Sequence, residues 1–213
     1  MDNISIIIRN RNENEFIGFA IQSCLDNFKS PEIIIVDNES TDSSLEIVNL
    51  FSDRTKIKVL SCSSYTPGKS INLGVKNSTK DYILLLSAHS QIQTLNFSEI
   101  KKNLKKYIAI FGKQIPIYKG KKITPRYIWE HFGDKEVVNM FSDSENRYFF
   151  HNAFSFFKKE TLLEFPFNET YPGKEDRYWA TSIIANHLSY LYDPNSIIYH
   201  FYTKGGATWK GIG

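Results

Sequence analysis

Continuous apolar runs of strand length alternate with amphipathic segments through the first ninety residues. The runs at 4–8, 33–36 and 82–86 have the pattern of strands buried on both faces, whereas 56–60 alternates charged and apolar residues. Between the strands, apolar residues recur at helical spacing, as at Ile17, Ile21, Cys24, Leu25 and Phe28. This order of strands and helices predicts an α/β fold with a mostly parallel, Rossmann-like sheet.

Helix boundaries follow from local signals. Asn12 with Glu15, and Ser43 with Glu46, have the spacing of capping boxes and predict two helix starts. A third helix is expected over 69–77.

The second half of the chain is less regular. The pattern predicts a helix over 95–107, a strand over 108–118, an irregular aromatic segment over 119–150, and a strand near 153–157. Short helices near 159–164 and 175–186 and a last strand over 197–200 follow. We expect a single domain, 1–213, whose regular half (1–92) and irregular half (93–213) have different tasks.

Composition and charge exclude several classes of protein. The net charge of +3 is too small to indicate nucleic-acid binding, and the chain has no apolar run long enough to span a membrane. Its N-terminus resembles a first strand rather than a secretion signal, and its two cysteines lack disulfide or metal spacing. These features predict a cytoplasmic location. The lysine-rich middle third, 101–122, is either a solvated face or a contact for phosphate or an anionic membrane.

Polar loops follow all four predicted strands of the first half, at 9–12, 37–40, 63–69 and 87–90. Because the carboxyl ends of parallel strands meet at one sheet edge, these loops predict a site for a polar, charged ligand. The loop at 63–70 ends like a P-loop, but Ser63 stands where the first glycine is required. No dinucleotide-binding glycine pattern follows the first strand.

Four segments, in order along nearly the whole chain, resemble family-2 glycosyltransferases. Residues 33–42, IIIVDNESTD, look like the family's IVVDxxSTD segment, and 68–74 resemble GxxxNxG. Residues 166–169 resemble its FDE run, and Glu175-Asp176 resemble its ED motif. The resemblance implies a GT-A fold, with nucleotide-sugar binding in 1–92 and acceptor binding and catalysis in 93–213.

One motif departs from the family pattern. Ser87-Ala88-His89 stands where the family has a metal-binding D-x-D, as in a rhamnosyltransferase-like subgroup with SAH. Histidine can still bind Mn²⁺ or a softer metal, and Mg²⁺ is disfavoured without the carboxylates. His89 and His200 are one predicted metal pair. The alternatives are a hydrogen bond from His89 to donor phosphate or sugar, or plain packing.

The resemblance implies a role for each site residue. Asp176 is the predicted base, and Glu175 orients donor sugar or acceptor. Asp37 accepts a hydrogen bond from the donor base, usually uracil, while Arg9 and Lys69 stabilise the leaving diphosphate. The other predicted donor-binding residues are Asn10, Asn72, Ser87 and His89. The predicted acceptor-binding residues are Asn152 and Trp179.

Three functions remain open from the sequence. The first is an inverting glycosyltransferase of surface polysaccharide biosynthesis, acting on a glycan or lipid-linked acceptor at the inner face of the membrane. The second is a non-catalytic nucleotide-sugar-binding module, suggested by the missing D-x-D. The third is a nucleotidyltransferase, disfavoured because the loop after the first strand has no glycine. All site assignments require residues near 37, 89 and 176 to converge.

Overall fold

The computed structural model describes residues 2–122 and 130–204. The helices are α1 (Ile17–Asn27), α2 (Ser44–Asn49), α3 (Pro67–Asn77), α4 (Phe97–Asn103), α5 (Lys159–Glu164) and α6 (Glu175–Ala185). The strands are β1 (Ile4–Asn10), β2 (Glu32–Asp37), β3 (Lys56–Ser61), β4 (Tyr82–Ser87), β5 (Ser90–Thr94), β6 (Ala109–Tyr118), β7 (Lys121–Lys122), β8 (Val137–Val138), β9 (Phe141–Ser142), β10 (Arg147–Tyr148), β11 (Phe154–Lys158) and β12 (Tyr190–Phe201). Residues 123–129, within the predicted irregular segment 119–150, lie outside the described part.

A mixed, mostly parallel sheet forms the centre of the molecule. Its main path runs β3-β2-β1-β4-β11-β6-β12-β5, and the first four strands are mutually parallel. β11 is antiparallel to both β4 and β6, while β6 and β12 are parallel to each other. β6 and β12 therefore run in the same direction as β1–β4, and their carboxyl ends reach the same edge of the sheet. The predicted α/β class is confirmed.

Helices cover both faces of the sheet because its strands are apolar on both sides. Ile6 and Ile8 of β1 face the cluster that includes residues of α1, α2 and α4. Ile7 faces the opposite cluster, to which α3, α5 and α6 contribute. All of β2 is buried. This layering leaves the strand ends and the loops between them as the place for polar chemistry.

Both predicted capping boxes are wrong. α1 begins at Ile17, and no side chain caps its N-terminus. Asn12 does not cap it because the Asn12 side-chain oxygen accepts hydrogen bonds from another loop. That oxygen accepts hydrogen bonds from the backbone N–H of Thr41 (2.7 Å) and Asp42 (3.3 Å). Ser43 is the N-cap residue of α2, so that predicted helix start is confirmed, but its side chain makes no capping hydrogen bond. The polar residues after β1 and β2 instead tie two loops together at the carboxyl edge.

The sequence pattern missed β5 and half of β12, and it also missed the two-residue strands β7–β10 within the segment predicted to be irregular. β5 follows β4 after a two-residue turn and pairs with the end of β12. β12 has twelve residues, with an irregularity between Asp193 and Ile197, so its apolar alternation is interrupted. The resulting pairing places His200 beside Ser90, and the backbone of Phe201 donates to the carbonyl of His89.

The lysines of the middle third do not form one patch. Lys101 and Lys102 lie at the end of α4, shortly before β6 begins, whereas Lys119 follows the end of β6. Ten residues of strand, roughly 30 Å at about 3.3 Å per residue, separate the two groups. Among the described residues, no helix combines the length and apolar character needed to cross a membrane.

Candidate active site

The carboxyl edge of the sheet brings several predicted site residues together. Asn10 ends β1 opposite Asp37 at the end of β2, and Arg9 pairs in register with Ser87 at the end of β4. Asn152 precedes β11, whose first residues pair with the end of β4, and so reaches the same edge. The required convergence is therefore built into the sheet register.

Asp37 is held in place by hydrogen bonds from two neighbours. Its Oδ1 accepts from the Asn10 amide (2.8 Å) and from the Ser40 hydroxyl (2.6 Å), and its Oδ2 accepts from the Ser40 backbone N–H (3.0 Å). Only 6% of the residue is exposed. A carboxylate fixed in this way can offer its remaining lone pairs to N–H donors of a ligand.

Arg9, Asn152 and Glu175 form a closed triangle across the edge. Arg9 donates from Nη2 to Asn152 Oδ1 (2.8 Å), and its Nη1 lies 3.4 Å from Glu175 Oε1. The Asn152 amide donates to the same Glu175 oxygen (2.6 Å). Burial acts to lower the pKa of Arg9, but Tyr65, Glu175 and Asp176 outweigh it and raise that pKa. The guanidinium therefore stays charged. The triangle joins α6 to β1.

Asp176 is the second residue of α6 and lies beside this triangle. Its Oδ1 accepts from the backbone N–H of Arg177 (2.9 Å), and its Oδ2 accepts from the Arg177 guanidinium (3.0 Å). Burial raises the pKa of Asp176 to about 6, with Glu175 also raising it and with Arg177 and Arg9 opposing the shift. Such a carboxylate is mostly ionised at neutral pH and still accepts a proton readily, as a general base requires.

Residues 5–165, most of the chain, match the family described as Glycosyl transferase family 2. This chain belongs to glycosyl transferase family 2. It is 26% identical to the Campylobacter jejuni GalNAc(5)-diNAcBac-PP-undecaprenol beta-1,3-glucosyltransferase over 84% of its own length and 59% of that protein. It is also 33% identical to an uncharacterized glycosyltransferase of Haemophilus influenzae, over 40% of this chain and 35% of that one.

The solved structures of S. aureus TarS share the fold of this family 2 chain. The complex with UDP-GlcNAc has a TM-score of 0.74 at 17% identity, over 99% of this chain and 61% of the TarS chain. The complex with UDP has a TM-score of 0.72 at 18% identity, over 94% of this chain and 60% of the TarS chain. The fold is that of GT-A glycosyltransferases, as predicted. The chain spans 61% of the TarS 1–349 fragment, 36% of the longer TarS chain and 59% of its C. jejuni relative.

The arrangement of His89 and His200 does not fit a shared metal ion. Their rings are stacked, with centroids 4.8 Å apart and planes 11° from parallel. Ring nitrogens bind a metal in the plane of the ring, so two parallel, offset planes cannot meet at one cation. His89 also contacts Glu13 Oε1 through Nδ1 (2.9 Å) and Ser87 Oγ through Nε2 (3.2 Å). Within the described residues, no group of three or more potential ligands could hold a metal.

Two predicted binding residues of the family 2 site are structural instead. Asn72 donates both amide hydrogens, to the Phe167 carbonyl (2.8 Å) and to Glu169 (3.0 Å), and accepts from the Phe167 N–H (3.1 Å), and it is only 4% exposed, so it holds the chain before α6. Trp179 is 4% exposed, donates its indole N–H to the Phe165 carbonyl and stacks on Phe167. It lies in the core and cannot stack on an acceptor sugar.

Lys69 lies in the first turn of α3, after the β3–α3 loop. Its backbone N–H donates to the Thr66 side chain that caps the helix (3.1 Å), and its ammonium donates to the Ser63 carbonyl (3.1 Å). The charge is thus held over the loop at the carboxyl edge. Its assigned contact with the donor diphosphate stays a prediction.

Sequence reasoning assigned no role to Glu13, Tyr65 and Arg177. Glu13 contacts His89, and Tyr65 raises the pKa of Arg9 from a loop position where 39% of its surface is exposed. Arg177 bonds both oxygens of Asp176. The only sequence signal for these residues was their position, in the loops after β1 and β3 or directly after the ED motif.

Proposed function

We propose that this chain is an inverting glycosyltransferase that moves a sugar from a nucleotide-diphosphate donor to a glycan or lipid-linked acceptor. The observation that carries the proposal is Asp176, a carboxylate with a raised pKa, beside the Arg9–Asn152–Glu175 triangle at the edge where Asp37 lies. A fixed acceptor for the nucleotide base and a proton acceptor for the chemistry thus share one sheet edge.

The chemistry of transfer fits these groups. Asp176 takes the proton of the acceptor hydroxyl while that oxygen forms a bond to the anomeric carbon of the donor sugar. The bond between this carbon and the diphosphate oxygen breaks on the opposite face, so the configuration inverts. The nucleoside diphosphate leaves with the bonding pair, and the positive charges of Arg9 and Lys69 offset its negative charge. Glu175, fixed by Arg9 and Asn152, orients the reacting sugar.

The choice of substrates is supported by the relatives. TarS was solved with UDP-GlcNAc, and the C. jejuni relative is named for an undecaprenol-linked acceptor. Asp37, with both oxygens fixed by N–H and O–H donors, suits the N–H of uracil. We therefore propose a UDP-sugar donor and a lipid-linked acceptor in surface polysaccharide biosynthesis, reached at the cytosolic face of a membrane.

A transfer assay tests the proposal. UDP-, GDP- and dTDP-linked sugars are first screened by thermal shift, and those that stabilise the protein are then incubated with a polyprenyl-diphosphate-linked glycan. We expect a UDP-sugar to stabilise the protein and to give a product whose new linkage is inverted relative to the donor, as read by NMR. Retention of configuration would overturn the inverting mechanism.

A non-catalytic nucleotide-sugar-binding module is the second candidate, and Ser87-Ala88-His89 in place of D-x-D is the observation in its favour. The same assay separates the two candidates. Binding of donor with neither transfer nor hydrolysis in any acceptor mixture would establish the module. Turnover that is lost in Asp176→Asn would establish the enzyme.

We also propose that transfer does not depend on a cation held between His89 and His200, because of their stacked rings. Activity of chelator-treated protein is measured while Mn²⁺ is added back. We expect wild type and His200→Gln to have the same apparent Mn²⁺ dependence. A tenfold or larger loss of apparent Mn²⁺ affinity in His200→Gln, with the fold retained by circular dichroism, would show that the pair opens to bind metal.

A further inference from the structure

Arg177 is a buried cation that holds the carboxylate of Asp176 by both oxygens. Only 6% of Arg177 is exposed. Its backbone N–H and its Nη1 donate to different oxygens of Asp176, at 2.9 and 3.0 Å. Two donors from one residue fix the plane of the carboxylate and leave each oxygen with lone pairs directed elsewhere.

The guanidinium of Arg177 is itself fixed on its other sides. Its Nη1 donates to the carbonyl of Phe150, and its carbon lies 4.1 Å from the centre of the Phe149 ring. Its Nε lies 3.5 Å from Glu145 Oε2. Glu145, in the turn between β9 and β10, has a side chain that is only 12% exposed. An irregular segment far from the donor loops thus supports a group at the start of α6.

We propose that Glu145, Arg177 and Asp176 form a charge chain in which Arg177 is a positioning residue for the base and Glu145 determines how much of its positive charge acts on Asp176. The inference rests on the proposed function, in which Asp176 takes the acceptor proton. It adds two residues to that site, neither of which touches the reacting atoms.

The charges around Asp176 predict the direction in which each substitution shifts the pKa of this residue. Burial and Glu175 raise the pKa of Asp176, while Arg177 and, more weakly, Arg9 lower it. Removing the charge of Arg177 therefore raises that pKa further. Glu145 Oε2 also lies 3.6 Å from Arg147 Nε, and removing the charge of Glu145 takes away the negative charge beside both arginines and lowers the pKa of Asp176. Because the base acts deprotonated, the acid limb of the pH–rate profile moves up in the first case and down in the second.

The experiment measures kcat/KM from pH 5 to 9 for wild type, Arg177→Met, Arg177→Lys and Glu145→Gln. We expect the midpoint of the acid limb to rise by about 1–2 pH units in Arg177→Met, since an opposite charge at this range shifts a pKa by about 1–3 units. We expect a smaller shift, to lower pH, in Glu145→Gln. Arg177→Lys keeps the charge and the backbone donor but loses the planar guanidinium that also contacts Phe150 and Glu145, so its midpoint stays near that of wild type while kcat falls.

Arg54→Met is the matched control. Arg54 also lies over a phenylalanine ring, Phe51 at 5.6 Å, and its guanidinium donates to Gln22 on α1. This variant loses a comparable arginine contact away from the carboxyl edge, and its pH profile should equal that of wild type. If loss of one of the two arginine partners of Glu145 unfolds Arg177→Met, the Glu145→Gln and Arg177→Lys profiles decide the question.

A ¹³C NMR titration of the aspartate side-chain carboxyls keeps this inference separable from the proposed function. The Asp176 signal is assigned by its loss in Asp176→Asn, and its midpoint is read in each variant without any substrate. Absence of transfer in wild type would end the proposed function and leave the NMR test intact. Midpoints that do not move, or that move in the same direction in Arg177→Met and Glu145→Gln, would overturn the charge chain.

Discussion

Glu175 and Asp176 are neighbours in the chain, but their carboxylates have different partners. Glu175 Oε1 is within reach of Arg9 and Asn152, which belong to the sheet edge. Asp176 receives its hydrogen bonds only from the residue that follows it, among the contacts of the described residues. Glu175 is therefore engaged in fixing the architecture of the site, and Asp176 retains lone pairs for a proton. The difference supports separate roles for the two acids.

Asp176→Asn should abolish transfer while donor binding is kept. The amide preserves the size of the side chain and removes its ability to take a proton, and general-base catalysis contributes about 10²–10⁴-fold to rate. We expect kcat to fall by that factor, with a donor Kd from calorimetry within about twofold of wild type. Loss of donor binding in a folded variant would contradict the assignment of the base.

Asp37→Ala should affect binding more than chemistry. In the proposed function the Asp37 carboxylate accepts from the donor base in both ground and transition state, so its loss should raise KM for the donor and change kcat little. A charged hydrogen bond is worth about 1.5–3 kcal/mol, which predicts an increase in KM of roughly 10- to 100-fold. Asp26→Ala, an exposed aspartate on α1, is the control. A larger loss in kcat than in KM would refute this role.

Helix α3 shows how a motif can mark packing rather than ligand contact. A Cβ on Gly68 would lie 2.1 Å from the Asn168 carbonyl oxygen, and one on Gly74 would lie 2.6 Å from Ile7 Cγ2. Asn72, between them, bonds the backbone of Phe167. The GxxxNxG pattern therefore lets α3 approach both β1 and the segment before α6, which helps to position Glu175 and Asp176.

Asn72→Ala should destabilise the protein without weakening donor binding. The change leaves the buried N–H and C=O of Phe167 without their partner, at a cost of about 1–3 kcal/mol each. We expect a lower denaturant midpoint and, at temperatures where the variant is folded, an unchanged donor Kd. A donor Kd raised tenfold at unchanged stability would restore Asn72 to the binding site.

The elements that sequence could predict are those whose signal is local. The apolar runs of β1, β2 and β4 were recognised to within two residues because burial on both faces leaves a continuous pattern. The helix start after β1 was wrong because Asn12 bonds the backbone of Thr41, a contact that no local pattern records. β12 was half missed because its irregularity after Asp193 breaks the alternation.

The candidate site was predictable where motif and sheet edge coincide, as for Asp37, Arg9 and the ED pair. It was not predictable where a residue's role depends on which face of an element is buried. Trp179 was assigned to acceptor binding because it follows Glu175 by one helical turn. In the structure, that face of α6 packs against the hydrophobic core. Arg177 escaped notice because its partners, Glu145 and Phe150, come from a segment with no readable periodicity.

At the scale of the whole molecule, the lysines that follow β6 lie at the same sheet edge as the candidate site, whereas the lysines of α4 do not. β6 ends at the carboxyl edge and leads into a two-residue turn, Lys119-Gly120, in which both residues have positive φ. Lys119 and Lys121 are exposed there, and Lys119 lies over the ring of Tyr118. The proposed lipid-linked acceptor would bring anionic headgroups to this edge, so we predict membrane contact for this group rather than for the lysines of α4.

Sedimentation with phosphatidylserine vesicles checks this assignment. Each lysine near an anionic surface contributes about 1 kcal/mol, so Lys119→Gln with Lys121→Gln should weaken vesicle binding by about 30-fold. The matched double variant, Lys101→Gln with Lys102→Gln, should bind as wild type does. Equal losses in the two double variants would indicate non-specific attraction, and wild-type protein that stays in the supernatant would refute membrane contact at this edge.

The bond between Arg9 and Glu175 has a consequence for biosynthesis. The two residues are 166 positions apart, and the ribosome adds about 5–20 residues per second, so roughly 8–33 s separate their synthesis. During that interval Arg9 is already present at the end of an early strand, with no carboxylate from α6 to meet it. The strands that carry Asn10 and Asp37 are complete long before this. A nascent chain therefore completes the Asn10–Asp37 part of the sheet edge before Arg9 can form its contact with Glu175.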